Sequence, residues 1–204
     1  MKRALLTIIA SLLVLGSAQA RENTLFDAGP YQWGWFGGPT VNYTRFNHTD
    51  GLLVGGQGAL LVSHLVYLGG GGCGLTTRAN APSKMINSTW QNMHYDLGYG
   101  GGLVGVIIKN DNVFHLAADV LIGGGDVVWT QRDTWEDDGD RPGDQHDAFF
   151  FVQPAMHLEM NITHWMRVDA GAGYRFVNGI TLNDLNNNNV GGPVAGLTFR
   201  FGQF

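Results

Sequence analysis

The chain has 204 residues, of which 12 are Lys or Arg and 17 are Asp or Glu, giving a formal net charge of −5. Only 14% of the residues are charged, against roughly 25% in soluble domains, and the 31 glycines are about twice the usual share. Because there is no excess of basic residues to neutralise phosphates, the composition argues against a nucleic-acid partner. The single cysteine, Cys73, excludes an intrachain disulfide.

The first 20 residues have the pattern of a secretory signal peptide. Lys2 and Arg3 form a basic start, an apolar run extends from Leu5 to Leu15, and Ala18-Gln19-Ala20 forms a small-x-small cleavage site. The apolar run is shorter than the roughly 20 residues that a transmembrane helix needs. We therefore predict a cleaved signal peptide at 1–20 and a single domain at 21–204, which without Lys2 and Arg3 has 10 basic and 17 acidic residues and a net charge of −7.

From Trp33 onward the apolar residues recur with a period of two, which predicts β-strands separated by turns. The run Gly123-Gly124-Gly125 predicts a bulge or sharp bend in the fifth strand. We predict eight strands, at Trp35–Phe46, Leu52–Ser63, Leu65–Thr76, Met93–Ile108, Val113–Thr130, Ala148–Ile162, Trp165–Val177 and Pro193–Phe204.

The two faces of the predicted strands differ sharply in polarity. In the seventh strand Arg167, Asp169 and Arg175 share one face, and Met166, Val168, Tyr174 and Phe176 share the other. In a soluble barrel the apolar face would lie inside, and a soluble barrel remains an open alternative. Because so few charged residues are available to cover an outer wall, we predict the inverse arrangement, an eight-stranded antiparallel up-and-down transmembrane barrel.

The predicted connections alternate in length, as they do in outer-membrane barrels. Short connections are predicted at 63–64, 109–112 and 163–164, and long ones at 77–92, 131–147 and 178–192. Only the first loop, Asn47 to Gly51, departs from this alternation, because it is short but lies on the side of the long connections. This alternation places both termini on the periplasmic side. Aromatic residues are predicted to form girdles at the membrane interfaces: Trp33, Trp35, Trp129, Trp165, Phe199, Phe201 and Phe204.

The signal peptide, the eight amphipathic strands and the final segment GLTFRFGQF together resemble the small outer-membrane barrels of the OmpA and OmpX kind. The blocks FGGPTVNY, LLVGGQGALLVSH, LGGGGCGL and LGYGGGL also look like a glycine-rich barrel family of Gram-negative bacteria with no known activity. The resemblance implies an outer-membrane location, contact with lipid and lipopolysaccharide, and insertion by the barrel assembly machinery, which reads a final aromatic residue. Here Phe204 is out of phase with Leu197, Phe199 and Phe201, and a bulge near Gly202 would restore the phase.

In a barrel of this size side chains fill the lumen, and buried charges persist when they are paired. A conducting pore is therefore unexpected, although a narrow channel remains an alternative. The polar faces predict one lumen network, which consists of His115, Asp119, His157, Glu159, Arg167, Asp169, Arg175 and Arg200.

A membrane-embedded enzyme that modifies lipid or peptide is a second alternative. Six histidines (His64, His94, His115, His146, His157, His164) and three serines (Ser63, Ser83, Ser88) supply residue types for such chemistry, but no motif joins them. The best candidate pair is His157 with Glu159. We predict that the protein is not an enzyme and needs no cofactor.

The segment Gln131 to Asp147 reads QRDTWEDDGDRPGDQHD and is strongly acidic. Carboxylates suit divalent ions, but the spacing does not match the EF-hand pattern. A solvated surface loop is the main interpretation, and Asp137, Asp138, Asp140 and Asp144 are candidate ligands for an ion that bridges to lipopolysaccharide phosphates. The sequence therefore predicts an integral outer-membrane protein with a structural or surface-interaction role.

Overall fold

The computed structural model describes residues 33–63, 65–77, 79–86, 89–108, 112–131, 145–182 and 185–204. The predicted signal peptide and the candidate ion ligands Asp137, Asp138, Asp140 and Asp144 lie outside these ranges. The described strands are β1 (Trp33–Phe46), β2 (Thr49–Val62), β3 (Val66–Leu75), β4 (Ala79–Ile86), β5 (Thr89–Ile108), β6 (Phe114–Gln131), β7 (Gln145–Thr163), β8 (Met166–Asn178) and β9 (Gly192–Gln203). One short helix, α1, covers Asn187–Val190.

Every strand pairs antiparallel with its neighbours, and the sheet closes on itself. The strands β3 and β4 share one position, because β3 pairs with residues 98–106 of β5 and β4 pairs with residues 89–95 of the same strand. The first and last strands close the ring, with Trp35 opposite Gln203 and Thr44 opposite Val194. The prediction of an eight-stranded antiparallel up-and-down barrel is therefore confirmed.

The prediction of a long loop at 77–92 is wrong, because that segment contains β4 and the start of β5. Its sequence lacks regular alternation and includes Pro82, which has no N–H to donate. The pairing accommodates the proline by a register shift between Ala81 and Lys84. Proline is tolerated in strands at such irregularities, and the sequence pattern alone gave no sign of this one.

The first connection is a two-residue turn, and the predicted loop from Asn47 to Gly51 is wrong. Asn47 and His48 both have positive φ, at 46° and 63°, and Thr49 already pairs with Phe46. Two central residues with positive φ define the type I′ turn, whose twist matches that of the flanking strands.

The strands β5 and β7 are longer than predicted, with 20 and 19 residues, and β6 has the predicted length of 18, whereas β1, β2, β8 and β9 have 14, 14, 13 and 12. We call the end of the barrel with the turns at 63–65 and 163–166 the turn end, and the opposite end the loop end. Both Trp33 and Phe204 lie at the turn end, where Trp35 pairs with Gln203.

The segment 178–192 was predicted to be a long loop, but its second half folds back into the mouth of the barrel. Asn186 caps α1, accepting from Asn188 N, and Asn189 and Val190 are buried. Ile180 and Leu185 are buried in the same apolar cluster. An asparagine-rich composition is typical of a solvated loop, but here these side chains satisfy the backbone of a short helix.

Large apolar side chains cover the outer face of the barrel, as the alternation predicts. Leu68 is 65% exposed and Met156 is 64% exposed, whereas Arg175, Arg200 and Glu159 are 0% exposed. Other exposed apolar side chains follow the same face of neighbouring strands: Leu60, Val104, Val106, Leu116, Leu158, Phe176 and Leu197.

Two of the aromatic residues assigned to the girdles lie elsewhere. Trp33, Trp35 and Trp165 are outward and exposed, and Trp165 stacks on Phe201 with centroids 6.0 Å apart. Trp129 packs instead against the interior apolar cluster. Phe204 also turns inward, because β9 keeps its register with β1 through Gly202 and Gln203 and the proposed bulge near Gly202 does not form.

Glycine allows the strands to approach closely in the sharply curved wall. A Cβ at Gly38 would collide with the carbonyl oxygen of Phe199, and one at Gly123 would lie 2.1 Å from the oxygen of Gly100. The pairing of β6 runs unbroken through 123–125, so the predicted bulge there is wrong. These glycines serve close packing of the backbones.

The interior has an apolar layer at each end. The loop-end cluster is built on Phe46, Leu53, Tyr95, Tyr99, Val127, Phe149, Phe151, Ile180, Leu185 and Val190. The turn-end cluster is built on Phe36, Leu61, Tyr67, Leu103 and Ile107, with Phe204 packed against it. No helix among the described residues is long and apolar enough to cross a membrane.

Candidate functional site: the charged lumen

Seven of the eight side chains predicted for the lumen network form one connected set in the interior. They lie on β6, β7, β8 and β9, whose inward positions come into register across the sheet: His115 is opposite Glu159, Glu159 is opposite Asp169, and Arg167 is opposite Arg200. Their burial follows directly from the period of two, because all the polar members share the inward phase.

Glu159 is the centre of the set at the turn end. Its Oε2 lies 2.8 Å from His115 Nε2 and 3.4 Å from Arg167 Nη1, and its Oε1 is bonded by Arg200 Nη1. The carboxylate is completely buried. A buried carboxylate is stable only when such partners replace its water, so three donors around one group account for its place in the lumen.

Arg200 connects this centre to Asp169, whose Oδ2 lies 2.7 Å from Arg200 Nη2. The guanidinium also lies over the ring of Phe36, 4.7 Å from its centroid, and 5.5 Å from that of Tyr67. Stacking of this kind suits the planar, weakly hydrated guanidinium. Arg200 is thus held by two carboxylates and two aromatic rings.

His157 lies between two aspartates. Its Nδ1 is 2.9 Å from Asp169 Oδ1, and its Nε2 is 3.1 Å from Asp119 Oδ2. Since a carboxylate only accepts hydrogen bonds, both ring nitrogens donate together only when the imidazole carries two protons. In that state the cations Arg167, Arg200 and His157 balance the anions Asp119, Asp169 and Glu159.

Two residues that sequence reasoning missed complete the set. Tyr67 on β3 donates its hydroxyl to Asp119 Oδ2 at 2.8 Å. Gly171 leaves room for the His157 ring. A Cβ at this position would lie 2.4 Å from His157 Nδ1, so a larger residue would collide with the imidazole. The inward phase of β3 could have indicated Tyr67, but the space provided by Gly171 depends on a contact between two strands.

Arg175, the eighth predicted residue, does not join this set. Its Nε and Nη2 donate to the carbonyl oxygen of Val190, at 3.1 and 2.8 Å, and Nη2 is 3.4 Å from Thr44 Oγ1. Its guanidinium lies 4.7 Å from the ring centroid of Tyr99. Arg175 therefore ties the segment before β9 to the loop-end cluster.

The space left inside the charged lumen is small. One cavity of about 50 Å³ is lined by Gln57, Gln153, Asp119 and His157, and another of about 30 Å³ by Asn42, His157 and Asp169. Ligand pockets for drug-sized molecules measure roughly 300–1,000 Å³. Within the described part of the chain, no group of three or more His, Cys, Asp or Glu residues is arranged to hold a metal ion.

Comparisons with known proteins identify the fold but no sequence relative. No family model matches the sequence, and no characterised protein matches it by sequence. Among solved structures, the barrel is similar to Neisserial surface protein A (NspA), with a TM-score of 0.57 and 7% identity over 86% of this chain and 99% of that chain. It also matches Ail, the attachment invasion locus protein of Yersinia pestis, with a TM-score of 0.46 and 12% identity over 83% of this chain and 97% of that chain. The chain thus has the fold of the small eight-stranded outer-membrane barrels.

Proposed function

We propose that the protein is an integral outer-membrane barrel with a structural or surface-interaction role. The observation that carries the proposal is the inversion of its faces: the ion pairs are inside and the large apolar side chains are outside. An Arg or Lys facing lipid at mid-bilayer costs about 2–4 kcal/mol, whereas apolar side chains there are favourable. The same apolar belt would be unfavourable in water.

The two long connections that remain, between β6 and β7 and between β8 and β9, lie at the loop end and support an orientation with that end outside the cell. Trp33, Phe204 and the short turns would then face the periplasm, which is the usual arrangement of such barrels. Outer-membrane lipid would contact the belt of Leu60, Leu68 and Met156. We expect the assembly machinery to read the outward residues Leu197, Phe199 and Phe201, because Phe204 lies inside against Phe36.

A narrow channel is the weaker alternative. Each end of the lumen carries an apolar layer, and the segment leading into β9 covers the loop end. An ion crossing the lumen would have to separate the Arg200 pairs with Glu159 and Asp169. We therefore expect no stable conductance when the purified protein is added to a planar bilayer; defined single-channel steps that Arg200→Met alters would favour the channel.

An enzymatic role is also disfavoured by the geometry. The predicted pair, His157 and Glu159, is not a hydrogen-bonded pair: His157 is engaged by Asp119 and Asp169, and Glu159 by His115 and two arginines. Both ring nitrogens of His157 lie next to carboxylate oxygens of the protein, and the cavity that His157 lines is only about 50 Å³, so the geometry offers no place for a substrate beside it. We propose a non-enzymatic role, and unchanged turnover of lipid and peptide substrates after His157→Ala would agree with it.

Cell fractionation and gel mobility test the main proposal. We expect the protein in the outer-membrane fraction, and we expect an unheated sample to migrate differently from a boiled one, because a closed barrel resists denaturing detergent until it is heated. A soluble periplasmic protein with no heat-dependent shift would contradict the proposal and favour a soluble ligand-binding barrel.

A further inference from the structure

A cavity of about 180 Å³ opens on the outer surface at the loop end, between β1, β8, β9 and α1. We call it the outer notch and define it by Arg45, His48, Tyr174, Asn188, Gly192 and Pro193. It is separate from the charged lumen, since Arg45, Tyr174 and Pro193 are exposed on the outer face. None of these side chains belongs to the charged set in the lumen.

The strand register brings the two walls of the outer notch together. Tyr174 on β8 is paired with Pro193 on β9. The β1–β9 pairing ends at Thr44 opposite Val194, so Arg45 lies one step further, beside Pro193. The guanidinium of Arg45 and the phenol ring of Tyr174 therefore lie on either side of Pro193, at adjacent positions on three neighbouring strands.

The polar groups of the outer notch are mainly hydrogen-bond donors. Arg45 supplies a guanidinium, Asn188 an exposed side-chain amide, and His48 an imidazole. Among the described residues that line the notch, none carries a carboxylate. This contrasts with the rest of the loop end, where Asp50 and Asp126 are outward-facing acids.

Arg45 is only weakly committed to a partner inside the protein. Its Nε lies 3.9 Å from Asp50 Oδ1, and both side chains are largely exposed, at 64% and 72%. Asp50 is also held by the hydroxyl of Tyr43 at 2.6 Å. Exposed ion pairs of this length contribute little, so the guanidinium can bind an anion that enters the notch.

The other side of the notch is held in place. The Asn47–His48 turn is fixed by Asn189 Nδ2, which donates to Asn47 Oδ1 at 3.2 Å and lies 3.4 Å from His48 Nε2. Backbone hydrogen bonding also joins Asn47 N to the oxygen of Asn189 at 2.8 Å. With Nε2 as acceptor, the neutral His48 ring carries its proton on Nδ1, which leaves that N–H for a ligand.

The shape and position of the notch indicate what it would bind. A volume of about 180 Å³ is well below that of a drug-sized pocket and suits one sugar-sized group. Tyr174 presents a ring next to Phe176, with centroids 4.7 Å apart. Outward tyrosines such as Tyr43 and Tyr174 are typical of the membrane interface, so the notch would lie at headgroup level.

We propose that the outer notch binds a phosphorylated sugar, with Arg45 holding the phosphate, Tyr174 packing against the sugar ring, and His48 and Asn188 donating to its hydroxyls. A glycolipid of the outer leaflet and a free sugar phosphate share this chemistry. The glycolipid source rests on the proposed function, whereas the binding of a free sugar phosphate does not.

Amide chemical shifts of the folded, detergent-solubilised protein test the proposal. Glucosamine 6-phosphate is expected to shift the amides of His48 and Gly192, and glucosamine alone is expected to shift them much less. Arg45→Gln should weaken the affinity about tenfold, because a hydrogen-bonded ion is lost. Asp50→Asn should strengthen it, because a competing carboxylate is removed. His48→Gln should also weaken the affinity, because the imidazole donor is lost, whereas the matched control His164→Gln, in a turn at the opposite end, should change nothing.

The second arm uses nanodiscs that contain lipid A, either phosphorylated or dephosphorylated. Shifts at the amides of His48 and Gly192 with phosphorylated lipid A, and none with dephosphorylated lipid A, would identify the membrane glycolipid as the source. Shifts with glucosamine 6-phosphate in a protein that fails the heat-dependent gel test would support the notch while contradicting the membrane assignment. The absence of shifts in both arms, or shifts that Arg45→Gln leaves unchanged, would overturn the proposal.

Discussion

Two buried arginines, Arg200 and Arg175, show two ways of placing a guanidinium inside one barrel. Arg200 is compensated by the charges of Glu159 and Asp169, which lie on the strands of the barrel wall. Arg175 bonds neutral acceptors, the carbonyl oxygen of Val190 and the hydroxyl of Thr44. The first arrangement is built into the alternation of the strands, whereas the second depends on a connecting segment that folds back onto the barrel.

This difference predicts that the loss of Arg200 lowers the free energy of unfolding more than the loss of Arg175 does. Arg200→Met would leave the buried carboxylates of Glu159 and Asp169 without their shared cation, and breaking such a pair costs about 3–5 kcal/mol. Urea unfolding of the detergent-solubilised protein, followed by tryptophan fluorescence, measures this loss. The triple variant that adds Glu159→Gln and Asp169→Asn should recover part of it; a triple variant as unstable as the sum of its parts would contradict the pairing.

The loss of Arg175 should be smaller and local. Arg175→Met leaves a neutral carbonyl at Val190 without its donors, and an unsatisfied group of this kind costs about 1–3 kcal/mol. Because the segment before β9 can open to water, we expect faster protease cleavage between Asn178 and Gly192 at nearly unchanged heat resistance of the barrel. Equal global destabilisation by Arg175→Met and Arg200→Met would remove the distinction between the two sites.

The α1 contacts should have the smallest effect. Asn189 accepts from Asn186 N at 2.9 Å and donates to Asn47 at 3.2 Å. Replacing a residue of a capping box costs about 1 kcal/mol. Asn189→Ala is therefore expected to raise amide hydrogen exchange in α1 and at Asn47, with Asn188→Ala, on the exposed side of the helix, as the control. Unchanged exchange in both segments would show that the cap does not hold the turn.

The inner wall was predictable because alternation is a local property. The phases of Arg167, Asp169 and Arg175 on β8 could be read from consecutive residues, and the same holds for His157 and Glu159 on β7. Their partners could not be read in this way. Which carboxylate faces which cation depends on the register between strands, and Tyr67 reaches Asp119 across 52 positions of the chain.

The loop end was harder to predict for a related reason. The composition of Ala79–Ile86 and of Asn186–Asn189 resembles that of solvated loops, yet one segment forms a strand and the other caps a helix. Trp129 and Phe204 were assigned outward because aromatic residues are common at interfaces, but their phase in the unbroken registers of β6 and β9 places them inside. The alternation along the strand predicted side-chain direction more reliably than residue type did, since a one-residue shift in register moves every side chain to the other face.

The unequal strand lengths give the barrel a tall side and a short side. Spanning a bilayer takes about 9–11 residues of a tilted strand. In the proposed membrane barrel β5, with 20 residues, would therefore extend about ten residues, or roughly 30 Å along the strand, beyond the lipid. The β1–β2 hairpin, with strands of 14 residues, ends far lower. A macromolecule that approaches from solution would meet the tall side first, while the outer notch remains accessible to small molecules and to neighbouring lipids.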